Sequence, residues 1–425
     1  MPSRQGSNLW GRNPCREAGF FVAQKGTLME HVYTLATAWL ALAVLASILA
    51  SHLRISIALV EICVGVAAAF AVGSDVLGAN LEWLKVIASV GAVLLTFLAG
   101  AELDPAAMKT KLWEVVVVGL FGFAAPFLCC TALARFVLGW DGPASWLAGI
   151  ALSCTSLAVV YSVMLESGFN KTEFGKGILG ACFVNDLGTV LVLGLMFAPF
   201  TYRTVVFAGI STVVLLLLPP ITSHVIARYG NRTAAIRTKW ILLVLCGLGG
   251  LALWAGSEAV LPAYVAGMAL AKTVGRDSFY IRRLRTLTVG FLTPFYFLRA
   301  GSLVSLGTLA AAPLVFLALL AGKVASKIFG LYPVIGLFRQ HRQERWYYTL
   351  LMSTGLTFGT IAALYGLGHE IVTREQYSFL VAVIIASAVV PTIIANALFL
   401  PRHLLPGDGA APSGGSETGV ELAEA

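Results

Sequence analysis

Apolar segments recur along this chain from Val32 to Leu400, and short polar loops separate them. A segment of about 20 apolar residues in helical conformation crosses a bilayer. In lipid, backbone polar groups are satisfied only within helices or closed barrels. The 425 residues are 58% hydrophobic and only 12% charged, which excludes an ordinary water-soluble domain. The sequence therefore predicts an all-α polytopic membrane protein.

We predict about 13 transmembrane helices, with a transmembrane domain over residues 32–400. Gly is abundant, with 43 residues, as expected where membrane helices approach closely. The predicted spans are 32–51, 55–74, 83–101, 114–138, 145–165, 175–199, 204–226, 240–256, 258–273, 287–304, 313–337, 347–367 and 378–400.

The orientation follows from the basic residues. With the first span beginning outside, most loop Lys and Arg residues lie inside, as the positive-inside rule requires. This distribution predicts a bacterial inner (plasma) membrane protein with a cytoplasmic C-terminus. It also accounts for much of the net charge of +8 without nucleic acid, which we do not expect as a partner.

Both termini are set apart from the spans. Residues 1–28 carry Arg4, Arg12, Arg16 and Lys25 on the side predicted to be outside, and they lack the apolar region of a signal peptide. We interpret them as a leader that is a gene-model extension, with Met29 as the true start. Residues 407–425 are rich in Gly, Ala, Pro, Ser and Glu, which predicts a disordered tail.

Asn185 and Asp186 lie in the middle of the apolar segment Gly175–Pro199. A carboxylate at mid-membrane costs roughly 2.5–3.5 kcal/mol on insertion scales, and such residues normally face a cavity or a partner. The pair therefore predicts an ion or proton site. The alternative is a pair that serves only hydrogen bonding between helices.

Two lysines and two hydroxyl-rich runs are the next exceptions. Lys323 and Lys327 lie four residues apart on one helical face, and a carboxylate near Asp186 would supply their counter-charge; snorkelling of one lysine to the interface is the alternative. Ser153–Ser156 and Ser353–Thr360 each interrupt a span. Such runs are either helix-packing surfaces or paired broken helices of an inverted-repeat transporter.

The remaining polar candidates are less specific. Glu61 and Arg299 lie within spans, and we leave a structural role and a gate-lining role open for both, as for Thr357. Glu102 and Asp104 are expected at the cytoplasmic interface. The histidines at 52, 341, 369 and 403 lie in loops or at span ends without the spacing of metal ligands, and six of the seven cysteines fall inside apolar segments.

Several motifs, in this order and spacing, resemble the monovalent cation:proton antiporter family, which includes bacterial sodium/proton exchangers and the membrane domains of potassium-efflux antiporters. The resemblance covers about residues 32–400. The matching stretches are LLTFLAGAELDP (Leu94–Pro105), SCTSLAVV (Ser153–Val160), FVNDLGTVLVL (Phe183–Leu193), AYVAGMALA (Ala263–Ala271), FLTPFYFLRAGSLVSL (Phe291–Leu306) and SKIFG (Ser326–Gly330).

The resemblance implies a sodium/proton antiporter-like fold with two crossing broken helices. It implies that Asp186 binds cation and proton alternately, with Asn185, Thr155 and Ser156 around it. Lys327, in preference to Lys323, would be the buried supporting charge. Core spans at about 114–199 and 313–400 would move against the rest in a homodimer. The Asn-Asp pair suggests one-for-one exchange, although a Lys in the eleventh span is unusual for such members.

The expected function is exchange of a monovalent cation for protons, with Na⁺ favoured and K⁺ or Li⁺ as alternatives. The cation would be bound at Asp186, and membrane lipid is the surrounding partner. No nucleophile–base set or phosphate-binding glycine loop is found, so we predict neither an enzyme nor a cofactor. The alternatives are potassium efflux or organic-anion symport by the same architecture, and a channel or a non-transporting scaffold.

Overall fold

The computed structural model describes residues 14–53, 56–101, 111–166, 169, 172–197, 201–229, 235–257, 259–273 and 278–404. Side chains are described from Met29 onward. Residues 1–13 of the predicted leader, the tail at 407–425, and Glu102 and Asp104 lie outside these ranges.

The described residues form helices throughout, with no strand among them. The helices are α1 (Pro14–Leu53), α2 (Ile57–Val72), α3 (Glu82–Ala101), α4 (Leu112–Ala132), α5 (Gly142–Ser153), α6 (Leu157–Glu166), α7 (Glu173–Phe197), α8 (Tyr202–Tyr229), α9 (Ile236–Trp254), α10 (Val260–Leu270), α11 (Ser278–Leu287), α12 (Thr293–Ser302), α13 (Leu306–Ala311), α14 (Pro313–Gly336), α15 (Arg342–Met352), α16 (Thr357–Gly368) and α17 (Arg374–Leu398). A wider helical turn extends α4 to Val137, and another precedes α12.

Each of the thirteen predicted spans corresponds to helix in the structure. Within the described part of the chain, nine helical segments are long and apolar enough to cross a membrane, one of them being α15 and α16 taken together. Helices α2 and α10 are shorter apolar helices. The fifth span is divided into α5 and α6, and the tenth is α12 with the wider turn before it. The predicted all-α polytopic fold is confirmed.

Helix packing separates the chain into two groups. In one group α10 packs on α3, and α12 packs on α2. In the other, α4 lies against α5, α7 and α14, and α16 lies against α5. The second group consists of two stretches, α4–α7 and α14–α17. The groups meet where α7 contacts α10 and where α17 contacts α2.

The two stretches of the second group correspond element by element. Each has a long helix, then an interrupted helix, then a second long helix: α4, α5–α6 and α7 in one, and α14, α15–α16 and α17 in the other. The interruptions fall at 154–156 and 353–356, inside the two hydroxyl-rich runs. Thr373 caps α17 by accepting from the backbone amide of Gln376, whose side chain accepts in return from the amide of Thr373.

A glycine contact fixes the crossing of α3 and α10. A methyl group at Gly100 would collide with the carbonyl of Tyr264, and one at Gly267 would collide with the carbonyl of Phe97. Lipid provides no hydrophobic drive for helix association, so close backbone approach through small residues supplies contact area instead. The first group is thereby tightly joined at its centre.

Exposure differs sharply between helices. Only 17% of the most apolar part of α1 and of α8 is buried, against 83% across α15 and α16. Exposed apolar side chains follow α1 and α8, for example Val44, Ile48 and Leu216. These helices form an exposed rim, and α15–α16 lies at the centre.

Candidate functional site

The two interrupted helices meet at their breaks. The hydroxyl Oγ1 of Thr155 donates to the carbonyl oxygen of Met352 at 3.1 Å. The backbone amide of Ser156 donates to Oγ1 of Thr354 at 3.4 Å. Interrupting a helix frees backbone groups that need partners, and each break here supplies partners for the other. The contact brings together residues nearly two hundred positions apart in sequence.

Lys327 enters this crossing from α14. Its ammonium Nζ donates to the amide oxygen Oδ1 of Asn185 at 3.0 Å and to Oγ1 of Thr155 at 3.1 Å. The side chain is fully buried. Lys327 therefore joins three elements, namely α14, α7 and the break between α5 and α6, through two uncharged oxygens.

The orientation of the Asn185 amide is fixed by its partners. Its nitrogen Nδ2 donates to the carbonyl oxygen of Ser153 at 3.2 Å, while its oxygen accepts from Lys327. A carbonyl only accepts and an ammonium only donates, so the reversed amide would make neither bond. An aspartate at this position would set a carboxylate oxygen against the Ser153 carbonyl, which accounts physically for the amide in the pair.

Asp186 lies beside this network with an open acceptor position. The residue is 2% exposed, and its carboxylate oxygen Oδ1 has no hydrogen-bond partner among the residues that the structure describes. The backbone amide of Thr155 faces the carboxylate. It lies two residues before the start of α6, and the N-terminal end of a helix favours negative charge. The site thus offers a buried carboxylate in which one oxygen has no described hydrogen-bond partner.

Lys323 lies one turn from Lys327, but its surroundings differ. Its side chain is fully buried, and its Nζ has no hydrogen-bond partner within the described ranges. The ammonium lies against the backbone of Gly355 in the second break, so that a methyl group there would collide with it. The two lysines therefore approach the crossing at different breaks. The expected carboxylate counter-charge is not in contact with either of them among the described residues.

The other predicted site residues fall into two sets. Ser156 is buried in the first break, and Thr357 begins α16 directly after the second break. Glu61 and Arg299 belong to the other helix group, on α2 and α12. Arg299 donates through Nε to the carbonyl oxygen of Ala79 at 2.8 Å, in the connection between α2 and α3. The structure thus brings Ser156 and Thr357 to the crossing and places Arg299 in contacts within the first group.

Two backbone oxygens of the candidate site could not be predicted from the pattern of side chains in the sequence. The carbonyls of Ser153 and Met352 receive the Asn185 amide and the Thr155 hydroxyl. Both belong to the last residues before a break, and the hydroxyl-rich runs located these breaks approximately. Thr189 also contributes, because its hydroxyl donates to the carbonyl of Asn185 at 3.2 Å.

A small apolar cleft lies next to the site, between α7, α10 and α16. Thr189, Leu193, Val260, Leu261 and Phe358 are among its lining residues. The cleft therefore lies between the two helix groups and comes within one helical turn of Asp186. Its lining offers mainly hydrocarbon surface.

The sequence pattern described as sodium/hydrogen exchanger, transmembrane, matches residues 40–400. The chain belongs to this family. Its resemblance to cation:proton antiporters is thereby confirmed, and it is an integral membrane protein.

Relatives of known description agree with this assignment. The chain is 23% identical over 337 residues to the probable Na(+)/H(+) antiporter 3 of Methanocaldococcus jannaschii, covering 76% of this chain and 85% of that protein. It is 26% identical over 292 residues to the glutathione-regulated potassium-efflux system protein KefC of an Enterobacter species, covering 64% of this chain and 45% of that protein. The chain thus spans about half the length of KefC.

Among solved structures, the sodium proton antiporter MjNhaP1 from Methanocaldococcus jannaschii has the same fold. The TM-score is 0.67 at 17% identity, and the match covers 87% of this chain and 97% of that chain. The sodium/proton antiporter-like fold predicted from the motifs is therefore confirmed.

Proposed function

We propose that this chain exchanges a monovalent cation for protons across the bacterial inner membrane by alternating access, with Na⁺ as the first candidate and K⁺ or Li⁺ as the others. Asp186 holds the cation and the proton in turn. The observation that carries this proposal is the buried Asp186 carboxylate, whose Oδ1 lacks a hydrogen-bond partner among the described residues. A buried acceptor oxygen without a hydrogen-bond partner supports the binding of an exchangeable ligand at that atom.

Competition at one carboxylate is sufficient for coupled exchange. An ionised carboxylate without a partner is costly in a dry environment, and a proton or a cation each removes that cost. One carboxylate charge cannot hold the proton and the cation at the same time. The site therefore changes the side of the membrane to which it opens only when the carboxylate is neutralised, by the cation in one direction and by the proton in the other.

Lys327 has a positioning role in this proposal. Its ammonium binds the Asn185 amide oxygen and the Thr155 hydroxyl, so in this arrangement those two oxygens are not open to a cation. The ligands left for Na⁺ are the Asp186 carboxylate, nearby backbone carbonyls and water, since hard cations prefer oxygen. Lys327 keeps α7 in register with the two breaks and partly balances the charge of the site.

The movement that gives alternating access is a displacement of one helix group against the other. The site lies entirely within the group made of α4–α7 and α14–α17. The first group, joined at Gly100 and Gly267, supplies the fixed scaffold and the surface for a second copy of the chain. The apolar cleft beside Thr189 lies along the boundary between the groups, where a sliding motion needs few polar contacts to break.

The small size of the cleft favours an inorganic cation over an organic solute. Its volume is about 10 Å³, close to the space of one water molecule, whereas sites for organic ligands span roughly 300–1,000 Å³. Potassium efflux by the same mechanism is the second candidate, because KefC is among the relatives. The two candidates differ only in the ion that Asp186 accepts.

Flux in proteoliposomes tests the proposal. With an imposed pH gradient, adding NaCl, LiCl or KCl to the wild type is expected to collapse the gradient, and the order of the responses ranks the ions. Asp186→Asn, which keeps the shape and removes the charge, is expected to abolish the response. Glu82→Gln is the matched control, because this carboxylate is exposed at the start of α3 and pairs with Lys85. Full activity of Asp186→Asn would refute the assignment of the site.

A further inference from the structure

Two histidines and a glutamate converge at the end of α15 that is remote from the cation site. His341 immediately precedes α15, and Glu344 follows in its first turn on the same face. His403 comes from the short turn Arg402–Leu404 after α17. The ligand atoms of the three side chains all lie within 4.8 Å of one another.

The contacts within the cluster are direct. Nε2 of His403 lies 2.8 Å from Oε1 of Glu344, and the ring centroids of His341 and His403 are 4.8 Å apart. Glu344 is 6% exposed, whereas both histidines are exposed. A buried carboxylate flanked by two accessible imidazoles forms a site that is preorganised on one side and open to solvent on the other.

The charges around the cluster are mixed, since Arg342 and Arg402 adjoin the two histidines in sequence and Arg345 donates to the carbonyl oxygen of Arg339. Arg339 forms a two-pronged contact with Glu114 of α4, at 2.8 and 3.1 Å. Its Nη1 lies 4.0 Å from Oε2 of Glu344. With the guanidinium engaged by Glu114, the Oε1 side of Glu344 is left to the histidines.

The turn that carries His403 is held in place. The rings of Trp346 on α15 and Phe399 after α17 stack with centroids 5.4 Å apart. This stacking fixes the chain after α17 against α15. The three ligand atoms, which lie within 4.8 Å of one another, are therefore carried on segments that are packed together.

We propose that His341, Glu344 and His403 bind a divalent transition-metal ion of the Zn²⁺ class. Two imidazoles, one carboxylate and a water molecule are a known ligand set for tetrahedral Zn²⁺. The bound ion links the start of α15 to the chain after α17. Helix α15 ends at Met352, whose carbonyl accepts from Thr155, so the ion is anchored to the same helix as the cation site. The metal site is separate from Asp186, and its test does not depend on transport.

Calorimetric titration of the purified full-length protein with Zn²⁺, in detergent and after removal of bound metals, tests the proposal. We expect one saturable site per chain. His341→Ala and His403→Ala are each expected to weaken it by at least about tenfold, since losing a ligand costs no less than losing an outer-shell partner. Both histidines are exposed, so these variants are expected to fold; Glu344→Gln provides a third variant that keeps the side-chain volume.

His369→Ala is the matched control, because His369 is an exposed histidine at the far end of α16. It is expected to leave the titration unchanged. Binding of Co²⁺ supplies a second readout, since imidazole and carboxylate ligands lack the intense thiolate bands that the exposed Cys63, Cys129 or Cys246 would produce. Absence of a saturable site in the wild type, or a site that survives the double replacement of His341 and His403, would overturn the proposal.

Discussion

The ammonium of Lys327 lies 3.0 Å from the amide oxygen of Asn185, and its described contacts do not include the carboxylate of Asp186. In the chain, Asn185 and Asp186 are neighbours, yet they have different partners. Asn185 is held by Lys327 and by the Ser153 carbonyl, whereas Asp186 keeps an open acceptor. Asn185 therefore holds the elements of the crossing together, whereas Asp186 keeps one oxygen open for the ligand that we propose.

The two lysines are expected to differ in their effect on stability. Lys327→Met removes the donor for two buried oxygens, and leaving a buried group unsatisfied costs about 1–3 kcal/mol. Lys323→Met removes a buried ammonium without a described partner, and replacing such a charge by an apolar group is often neutral or stabilising. Thermal unfolding in detergent is therefore expected to show a lower midpoint for Lys327→Met than for Lys323→Met. The reverse order would mean that Lys323 supports the site.

Gly355 is expected to leave room for the ammonium of Lys323 and the thiol of Cys154 at the second break. A methyl group there would collide with Nζ of Lys323 and would lie 3.1 Å from Sγ of Cys154. Gly355→Ala is therefore expected to lower both the unfolding midpoint and the exchange rate. Gly368→Ala, at the end of α16, is the matched control, because no atom lies within 4 Å of the added methyl group. Equal behaviour of the two variants would contradict the described packing of the second break.

Exchange is expected to be electroneutral. A proton and a monovalent cation neutralise Asp186 equally. If its two uncharged oxygen partners hold Lys327 throughout the transport cycle, this residue carries the same charge in both directions. Initial rates of cation-driven proton flux are therefore expected to be the same at imposed membrane potentials of either sign. A rate that rises at one sign and falls at the other would show that a second group, with Lys327 the first to examine, also changes its protonation.

Much of the architecture could be predicted from the sequence because the bilayer restricts the choice. The thirteen predicted spans coincide with helices, and nine helical segments in the described part of the chain are long and apolar enough to cross a membrane. The hydroxyl-rich runs at 153–156 and 353–360 also indicated the positions of both breaks, since free backbone groups at membrane depth need polar neighbours. The structure divides these helices at 154–156 and 353–356.

Other features depend on three-dimensional contacts that spacing does not encode. Lys323 and Lys327 lie on one helical face, and their spacing alone does not show which ammonium reaches Asn185 on α7. The grouping of His341, Glu344 and His403 was likewise not recognisable, because the third residue is 59 positions from the second and returns through α17. Helix α11, between the ninth and tenth predicted spans, was also missed, because its many arginines resemble a loop.

Proton release on cation binding tests the central claim most directly. The purified protein in weakly buffered detergent solution is mixed with NaCl, LiCl or KCl, and the released protons are measured with a pH indicator. The account predicts saturable release by the transported ion, with one proton per chain at most, and no release from Asp186→Asn. Release that persists in Asp186→Asn, or cation binding to the wild type without any release, would contradict the claim that Asp186 holds the proton and the cation in turn.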